Sequence, residues 1–94
     1  MPDFAPVIRG SGEMLLLVED DYSTREAMKT LLEDSNYRVL VASNGQEALS
    51  IYQKEGEAIA LVISDMVMPE MGGVELYQTL VESYPEVKML FITG

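Results

Sequence analysis

The stretch MLLLVEDD, residues 14–21, decides the fold, because an unbroken apolar run ends there abruptly in three acids. Five consecutive apolar residues without alternation are typical of a strand that is buried on both faces, as in a parallel sheet. Similar short apolar runs return at 38–42, 59–64 and 87–92, and we predict them as the second, third and fourth strands.

Amphipathic segments separate these strands and predict helices over about 24–34, 46–54 and 74–83. Ser23 and Glu26 fit a capping box at the start of the first helix. The expected apolar faces are Ala27, Met28, Leu31 and Leu32 in the first helix, Ala48, Leu49 and Tyr52 in the second, and Val74, Tyr77, Val81 and Tyr84 in the third. The β-α-β-α-β-α-β order predicts an α/β fold, a parallel sheet in three layers with right-handed crossovers.

Residues 1–13 differ from the rest, since they carry two prolines and two glycines and show no periodicity. We interpret them as a linker or disordered tail, with Gly10-Ser11-Gly12 as a flexible joint. Residues 14–94 then form one domain, which suits a chain of 94 residues.

The composition excludes several classes of function. Acids outnumber bases 16 to 6, for a net charge of −10, which disfavours nucleic acid and anionic membranes as partners. The sequence has no cysteine and no histidine, which excludes zinc–thiolate sites, cysteine nucleophiles and the usual general base. Carboxylates remain, and they suit Mg²⁺. No apolar run reaches the length of a membrane span and no signal peptide is visible, so we expect a cytoplasmic protein.

Polar residues follow the strands at their carboxyl ends, where open parallel sheets bind ligands. Glu19 and Asp20 close the first strand, Asp65 the third and Thr93 the fourth. Carboxylates about 5 Å apart repel by roughly 3 kcal/mol at an effective dielectric constant near 20. Protonation or a bound cation relieves that repulsion, and a metal beside a free carboxylate suits phosphoryl transfer onto Asp65. The Thr93 hydroxyl could then hydrogen-bond the phosphoryl group.

The same residues also have a purely structural interpretation. Glu19, Asp20 and Asp21 could end a strand and favour a helix N-terminus through its dipole. Asp65 could be an ordinary turn residue and Thr93 an ordinary strand-end residue. We interpret Asp21 as a solvated charge near the helix start.

The chain resembles the receiver domain of two-component response regulators. The resemblance rests on Leu16-Leu17-Val18-Glu19-Asp20-Asp21, on Asn44-Gly45-Gln46-Glu47-Ala48-Leu49, on 61–69 with Gly72-Gly73, and on Phe91-Ile92-Thr93-Gly94. It implies a flavodoxin-like (CheY-like) fold with strand order 2-1-3-4-5. The lead from Gly10-Ser11-Gly12-Glu13 into the first strand also resembles receivers attached to hybrid histidine kinases.

The resemblance assigns roles to particular residues. Asp65 is expected to accept a phosphoryl group from a phosphohistidine of a histidine kinase or a histidine phosphotransfer protein. Asp20 and Asp65 are expected to bind Mg²⁺ directly, with Glu19 acting through water and the backbone carbonyl of Val67 as a further ligand. Thr93 is expected to be the switch hydroxyl. The chain is therefore expected to be a phosphoacceptor and not an enzyme.

The family pattern continues past Gly94 with a fourth helix, a fifth strand that carries a lysine, and a fifth helix. We therefore expect an incomplete receiver with strand order 2-1-3-4, whose fourth strand is left as an open edge. We expect such a chain to be a poorly stable monomer or to self-associate through that edge. Two alternatives stay open: a pseudo-receiver that docks partners without phosphorylation, and a magnesium-dependent phosphatase, which would need a second aspartate where Val67 stands.

Overall fold

The computed structural model describes residues 10–66 and 71–92. Strands and helices alternate along them as the sequence predicts. They are β1 (Met14–Val18), α1 (Tyr22–Asp34), β2 (Arg38–Ala42), α2 (Gly45–Glu55), β3 (Ile59–Asp65), α3 (Gly73–Ser83) and β4 (Met89–Ile92), with a 3₁₀ turn at Gly56–Ala58. β4 begins two residues later than predicted, because Val87 still belongs to a turn in which its N–H donates to the Tyr84 carbonyl oxygen (2.9 Å). None of these helices is long and apolar enough to cross a membrane.

The four strands form one parallel sheet in the order β2-β1-β3-β4, which confirms the predicted topology. Val18 pairs with Ala42 on one side and with Ser64 on the other, and Asp65 pairs with Ile92. The carboxyl ends of the strands therefore lie level with one another at one edge of the sheet. The residues that follow β1 and end β3 meet at this edge.

The two faces of the sheet are covered unequally. On the face under α2 and α3, the buried apolar residues are Leu16, Val18, Ala42, Ala48, Tyr52, Ile59, Val62, Met71, Leu76, Leu80 and Val87. On the face under α1, the buried apolar residues of the described part of the chain are Leu15, Leu17 and Ile63, and Met28 and Leu32 of the helix pack against them only partly buried. Most of the hydrophobic core therefore lies on the α2/α3 side.

Details of two helices differ from the sequence-based expectation. Asp21, not Ser23, is the N-cap of α1, because the backbone of Asp21 is extended and its side chain accepts from the Thr24 N–H. Ser23 therefore lies inside the helix, and the predicted capping box is wrong.

The predicted apolar stripe of α2 is confirmed, whereas those of α1 and α3 are only half correct. In α1, Met28 and Leu32 face the sheet whereas Ala27 and Leu31 are exposed. In α3, Val81 and Tyr84 pack against the core, but Val74 and Tyr77 are exposed. The residues of α3 that are buried are Gly73, Leu76 and Leu80.

The turn that follows α1 also holds the first described residues of the chain. Asn36 adopts a left-handed conformation (φ 72°) and ends the helix, as its sequence position predicts. The Gly10 N–H donates to the Ser35 carbonyl oxygen (2.6 Å), and the Asn36 side-chain amide donates to the Gly10 carbonyl oxygen (2.9 Å). The Gly12 N–H donates to the Asn36 carbonyl oxygen (2.8 Å). Gly10 and Gly12 thus contact this turn, and the interpretation of residues 1–13 as a linker or tail stays a prediction.

Candidate acidic metal site

Three acids converge at the carboxyl edge of the sheet. Glu19, Asp20 and Asp65 each offer a carboxylate oxygen, and these oxygens lie within 4.8 Å of one another. Glu19 and Asp20 follow directly from β1, and Asp65 is the last residue of the neighbouring strand β3. The structure therefore brings together three of the residues predicted from strand-end position. Thr93, the fourth of these, lies outside the described residues, as does Val67, which only the family resemblance assigned to the site.

Glu19 is the buried member of the group, with only 5% of its surface exposed. Its N–H donates to the Ala42 carbonyl oxygen (3.0 Å), and its carboxylate accepts from the Asp21 N–H (3.0 Å). Burial raises the pKa of the Glu19 carboxyl, and the nearby Asp20 and Asp65 raise it further, although the hydrogen bond from Asp21 acts in the opposite direction. Glu19 is thus the acid for which carrying a charge is costly.

The other two acids are more accessible. Asp65 is half-buried and Asp20 is exposed. The site is therefore open to solvent on the side of Asp20 and closed on the side of Glu19. This arrangement lets an incoming group reach the Asp65 carboxylate from solvent while the two acids after β1 stay beside it.

The β1–α1 loop that carries Glu19 and Asp20 is held by its own residues. Asp21 accepts a hydrogen bond from the Thr24 N–H (2.8 Å), and the pKa of the Asp21 carboxyl is lowered first by the Thr24 side chain and then by this backbone bond. Asp21 is exposed, as predicted, but it also starts α1. The Arg25 guanidinium donates to the Glu19 carbonyl oxygen (2.9 Å) and lies over the Tyr22 ring, 5.4 Å from its centroid. Sequence analysis missed Arg25, since a contact between a guanidinium and a backbone carbonyl leaves no sequence pattern.

The first residue of α3, Gly73, lies close to the end of β3. A Cβ atom at Gly73 would meet the Asp65 carbonyl oxygen and lie 3.0 Å from the Ser64 hydroxyl, so a side chain does not fit at this position. Ser64 is fully buried, and its hydroxyl donates to the Asp65 carbonyl oxygen (2.9 Å). The Gly73 N–H donates to the Met66 carbonyl oxygen (3.0 Å). These contacts fix the backbone at the end of β3, and with it the position of Asp65.

The chemistry of the donor set fits Mg²⁺. All three side chains offer hard carboxylate oxygens, and the sequence has no histidine or cysteine that would favour a softer metal. At an effective dielectric constant near 20, two charges 4.8 Å apart repel by about 3 kcal/mol, so a bound cation would stabilise the group.

Comparison with known proteins agrees with this geometry. Residues 15–94 match the family model described as the response regulator receiver domain. Over 80 residues, which are 85% of its length, the chain is 39% identical to the sensor kinase CckA and 40% identical to the response regulator receiver protein CpdR, both from Brucella abortus. The chain spans 8% of the length of the first relative and 65% of the second.

A solved structure gives the same result for the fold. The response regulator TrrA from Thermotoga maritima, in complex with Mg²⁺ and BeF, superimposes with a TM-score of 0.81 at 30% identity. The match covers 86% of this chain and 69% of that protein. The four-stranded sheet and its flanking helices are therefore those of the CheY-like receiver fold.

Proposed function

The chain belongs to the response regulator receiver domain family of two-component signalling, and from this premise we propose that Asp65 is its phosphoacceptor. The Asp65 carboxylate attacks the phosphorus of a phosphohistidine, an O–P bond forms as the N–P bond breaks, and the histidine leaves as the neutral imidazole after taking up a proton. The donor is a histidine kinase or a histidine phosphotransfer protein. The observation that carries the proposal is the position of Asp65 at the end of β3, with its carboxylate among those of Glu19 and Asp20.

The acids also define the proposed metal site. Glu19, Asp20 and Asp65 would hold Mg²⁺, with the Val67 carbonyl as a further ligand. Bound there, Mg²⁺ would neutralise part of the charge of the carboxylates and of the incoming phosphoryl group. The hydroxyl of Thr93 is proposed to hydrogen-bond that group; this role and that of Val67 rest on the family resemblance alone.

A phosphoacceptor needs no general base, and the chain offers no histidine for one. Asp65 reacts as the carboxylate, which is already a nucleophile once it is positioned and its charge is balanced. Glu19 and Asp20 therefore act on charge and position and not on a proton. Receiver domains are signalling phosphoacceptors, and we propose that this chain has no separate catalytic activity.

We propose that the phosphodonor histidine lies in the same polypeptide or on a relay protein, as in a hybrid histidine kinase. The sensor kinase among the matched relatives supports this. We further propose a cytoplasmic location, where such donors and Mg²⁺ are available.

The outer strand supports a proposal about assembly. Among the described residues β2 and β4 are the two edge strands of the sheet, and Leu90 on β4 is 52% exposed. An unpaired edge with apolar side chains can pair with another strand. We propose that the chain self-associates through β4 at micromolar concentration, which light scattering across a dilution series measures. A monomer at every concentration would contradict it.

Intact mass after incubation with acetyl phosphate and Mg²⁺ tests the phosphoacceptor proposal. We expect a gain of one phosphoryl group that is absent in Asp65→Asn and absent when EDTA removes the metal. Asp34→Asn is the matched control, since Asp34 is an exposed aspartate at the far end of α1. No gain from a chain that circular dichroism shows to be folded would contradict phosphotransfer and favour a docking module that works without phosphorylation.

A further inference from the structure

Arg25 is a basic residue beside the acidic site, and its guanidinium binds the backbone of the β1–α1 loop. Its guanidinium donates to the backbone carbonyl oxygen of Glu19 (2.9 Å). The same group lies over the Tyr22 ring, within the distance at which cation–π attraction operates. The side chain of Arg25 therefore spans the β1–α1 loop from the first turn of the helix back to the end of the strand.

The contact closes a set of hydrogen bonds around the loop. The Glu19 carboxylate accepts from the Asp21 N–H (3.0 Å), and the Asp21 carbonyl oxygen accepts from the Arg25 N–H (2.9 Å). Arg25 thus contributes both its backbone and its side chain, and both bonds fix the residues between Glu19 and Asp21. A loop that carries two adjacent acids next to a third needs such restraint, since repulsion among the carboxylates would otherwise spread them apart.

We infer that Arg25 is a positioning residue, which holds the β1–α1 loop so that Glu19 and Asp20 present their carboxylates to the metal beside Asp65. This inference rests on the proposed magnesium site. It differs from a role of Arg25 as a simple counter-charge, in which the cation would compete with Mg²⁺ for the same acids. Because Arg25 acts through a backbone carbonyl, its charge stabilises the loop without occupying the carboxylate oxygens.

The two roles predict effects of opposite sign on metal binding. If Arg25 acts only as a charge, Arg25→Ala removes a competing cation and tightens Mg²⁺ binding. If Arg25 positions the loop, the variant loses the ordered arrangement of Glu19 and Asp20, and Mg²⁺ binding weakens by about tenfold, as is usual for partners behind metal ligands.

The experiment titrates Mg²⁺ into the protein by isothermal titration calorimetry. Lys29→Ala is the matched control, because it also removes one positive charge from α1 but belongs to a surface ion pair with Glu33 (3.0 Å). We expect Arg25→Ala to bind about tenfold more weakly, Arg25→Lys to recover part of the loss, and Lys29→Ala to change affinity less than about twofold. Equal or tighter binding by Arg25→Ala would overturn the inference.

A second measurement works without metal and separates this inference from the proposed function. Amide hydrogen exchange of the protein without added metal follows the Asp21 N–H, which donates to the Glu19 carboxylate (3.0 Å). We expect faster exchange at Asp21 in Arg25→Ala and unchanged exchange in β3. Unchanged protection of Asp21 would overturn the positioning role whatever the metal does. Failure of the unaltered protein to bind Mg²⁺ would overturn the proposed metal site, while faster exchange in Arg25→Ala would still support a restrained loop.

Discussion

The two faces of the sheet differ in how much apolar surface they bury, although the same strands form both. Within residues 10–66 and 71–92, eleven buried apolar residues lie on the α2/α3 side and three on the α1 side. The α1 side also has an apolar groove of about 370 Å³, lined by Leu15, Leu32, Tyr37 and Leu61 among others. Since buried apolar area is the main source of folding free energy, the α2/α3 face carries most of the stability.

The acidic site joins these unequal parts. Asp65 ends β3, where Gly73 brings α3 close to the strand, while Glu19 and Asp20 lie on the loop that leads into α1. The proposed phosphoacceptor Asp65 is therefore held on the well-packed side, and the proposed metal ligands Glu19 and Asp20 on the weakly packed side. Local opening is expected to be easier in the β1–α1 loop than around Asp65, because few buried contacts oppose it.

The largest expected effect comes from truncating one leucine on each face of the sheet and comparing the loss of stability. Leu80→Ala, in a fully buried position of α3, is expected to cost about 3–4 kcal/mol because it removes apolar contacts and leaves a cavity. Leu32→Ala, the same change in α1, is expected to cost about 1 kcal/mol, since Leu32 is only partly buried. Urea denaturation measures both. Equal costs would show that α1 is packed as firmly as α3.

How far the sequence predicts this molecule differs between strands and helices. The four described strands lie within or close to the predicted apolar runs, although only β1 is buried along nearly its whole length and β4 begins two residues late. The convergence of Glu19, Asp20 and Asp65 also follows from a general rule about parallel sheets. Position in the chain and the direction of the strands were sufficient for both predictions.

The helices are less predictable, because one sequence can satisfy two patterns at once. Asp21 and Ser23 are both residue types that favour the N-cap position of a helix. Only the extended backbone of Asp21 shows which of them caps α1. In α3, apolar residues lie on two neighbouring stripes of the helix. Gly73 lies close to the end of β3, and the stripe that contains Leu76 therefore faces the sheet. Such choices depend on tertiary contacts that local spacing does not contain.

The N-termini of α1 and α2, which lie on opposite faces of the sheet, are capped in the same way. Asp21 caps α1 and Asn44 caps α2, each by accepting a backbone N–H at 2.8 Å. Loss of either cap is expected to cost the helix about 1 kcal/mol. In Asn44→Ala we expect that cost in the global free energy of unfolding, whereas in Asp21→Ala we expect it mainly as faster amide exchange within α1.

Asp21→Asn controls for charge, since asparagine keeps a side-chain acceptor and removes only the carboxylate. It is expected to leave exchange in α1 close to that of the unaltered protein. If Asp21→Ala instead lowers the global free energy of unfolding as much as Asn44→Ala does, α1 unfolds together with the rest and the two faces form one cooperative unit.

The smallest expected effect concerns the site itself. The raised pKa of the Glu19 carboxyl, caused first by burial, means that the folded state holds the Glu19 proton more tightly than the unfolded state does. The metal-free protein therefore loses stability as pH rises from the unfolded value of 4.5 through the raised value, and the loss is complete above it. Glu19→Gln removes that loss, so it is expected to stabilise the metal-free protein slightly at neutral pH, with solvent at the exposed Asp20 keeping the effect small.

Urea denaturation of the two proteins across a pH series measures this difference. The advantage of Glu19→Gln should shrink as pH falls toward 4.5, and added Mg²⁺ should favour the unaltered protein instead. An advantage that does not depend on pH would mean that glutamine packs better and that charge is not the cause. A pH-dependent advantage that Mg²⁺ reverses would show that the acids reduce the stability of the β1–α1 loop until a cation binds, so the weaker side of the molecule is the one that metal binding strengthens.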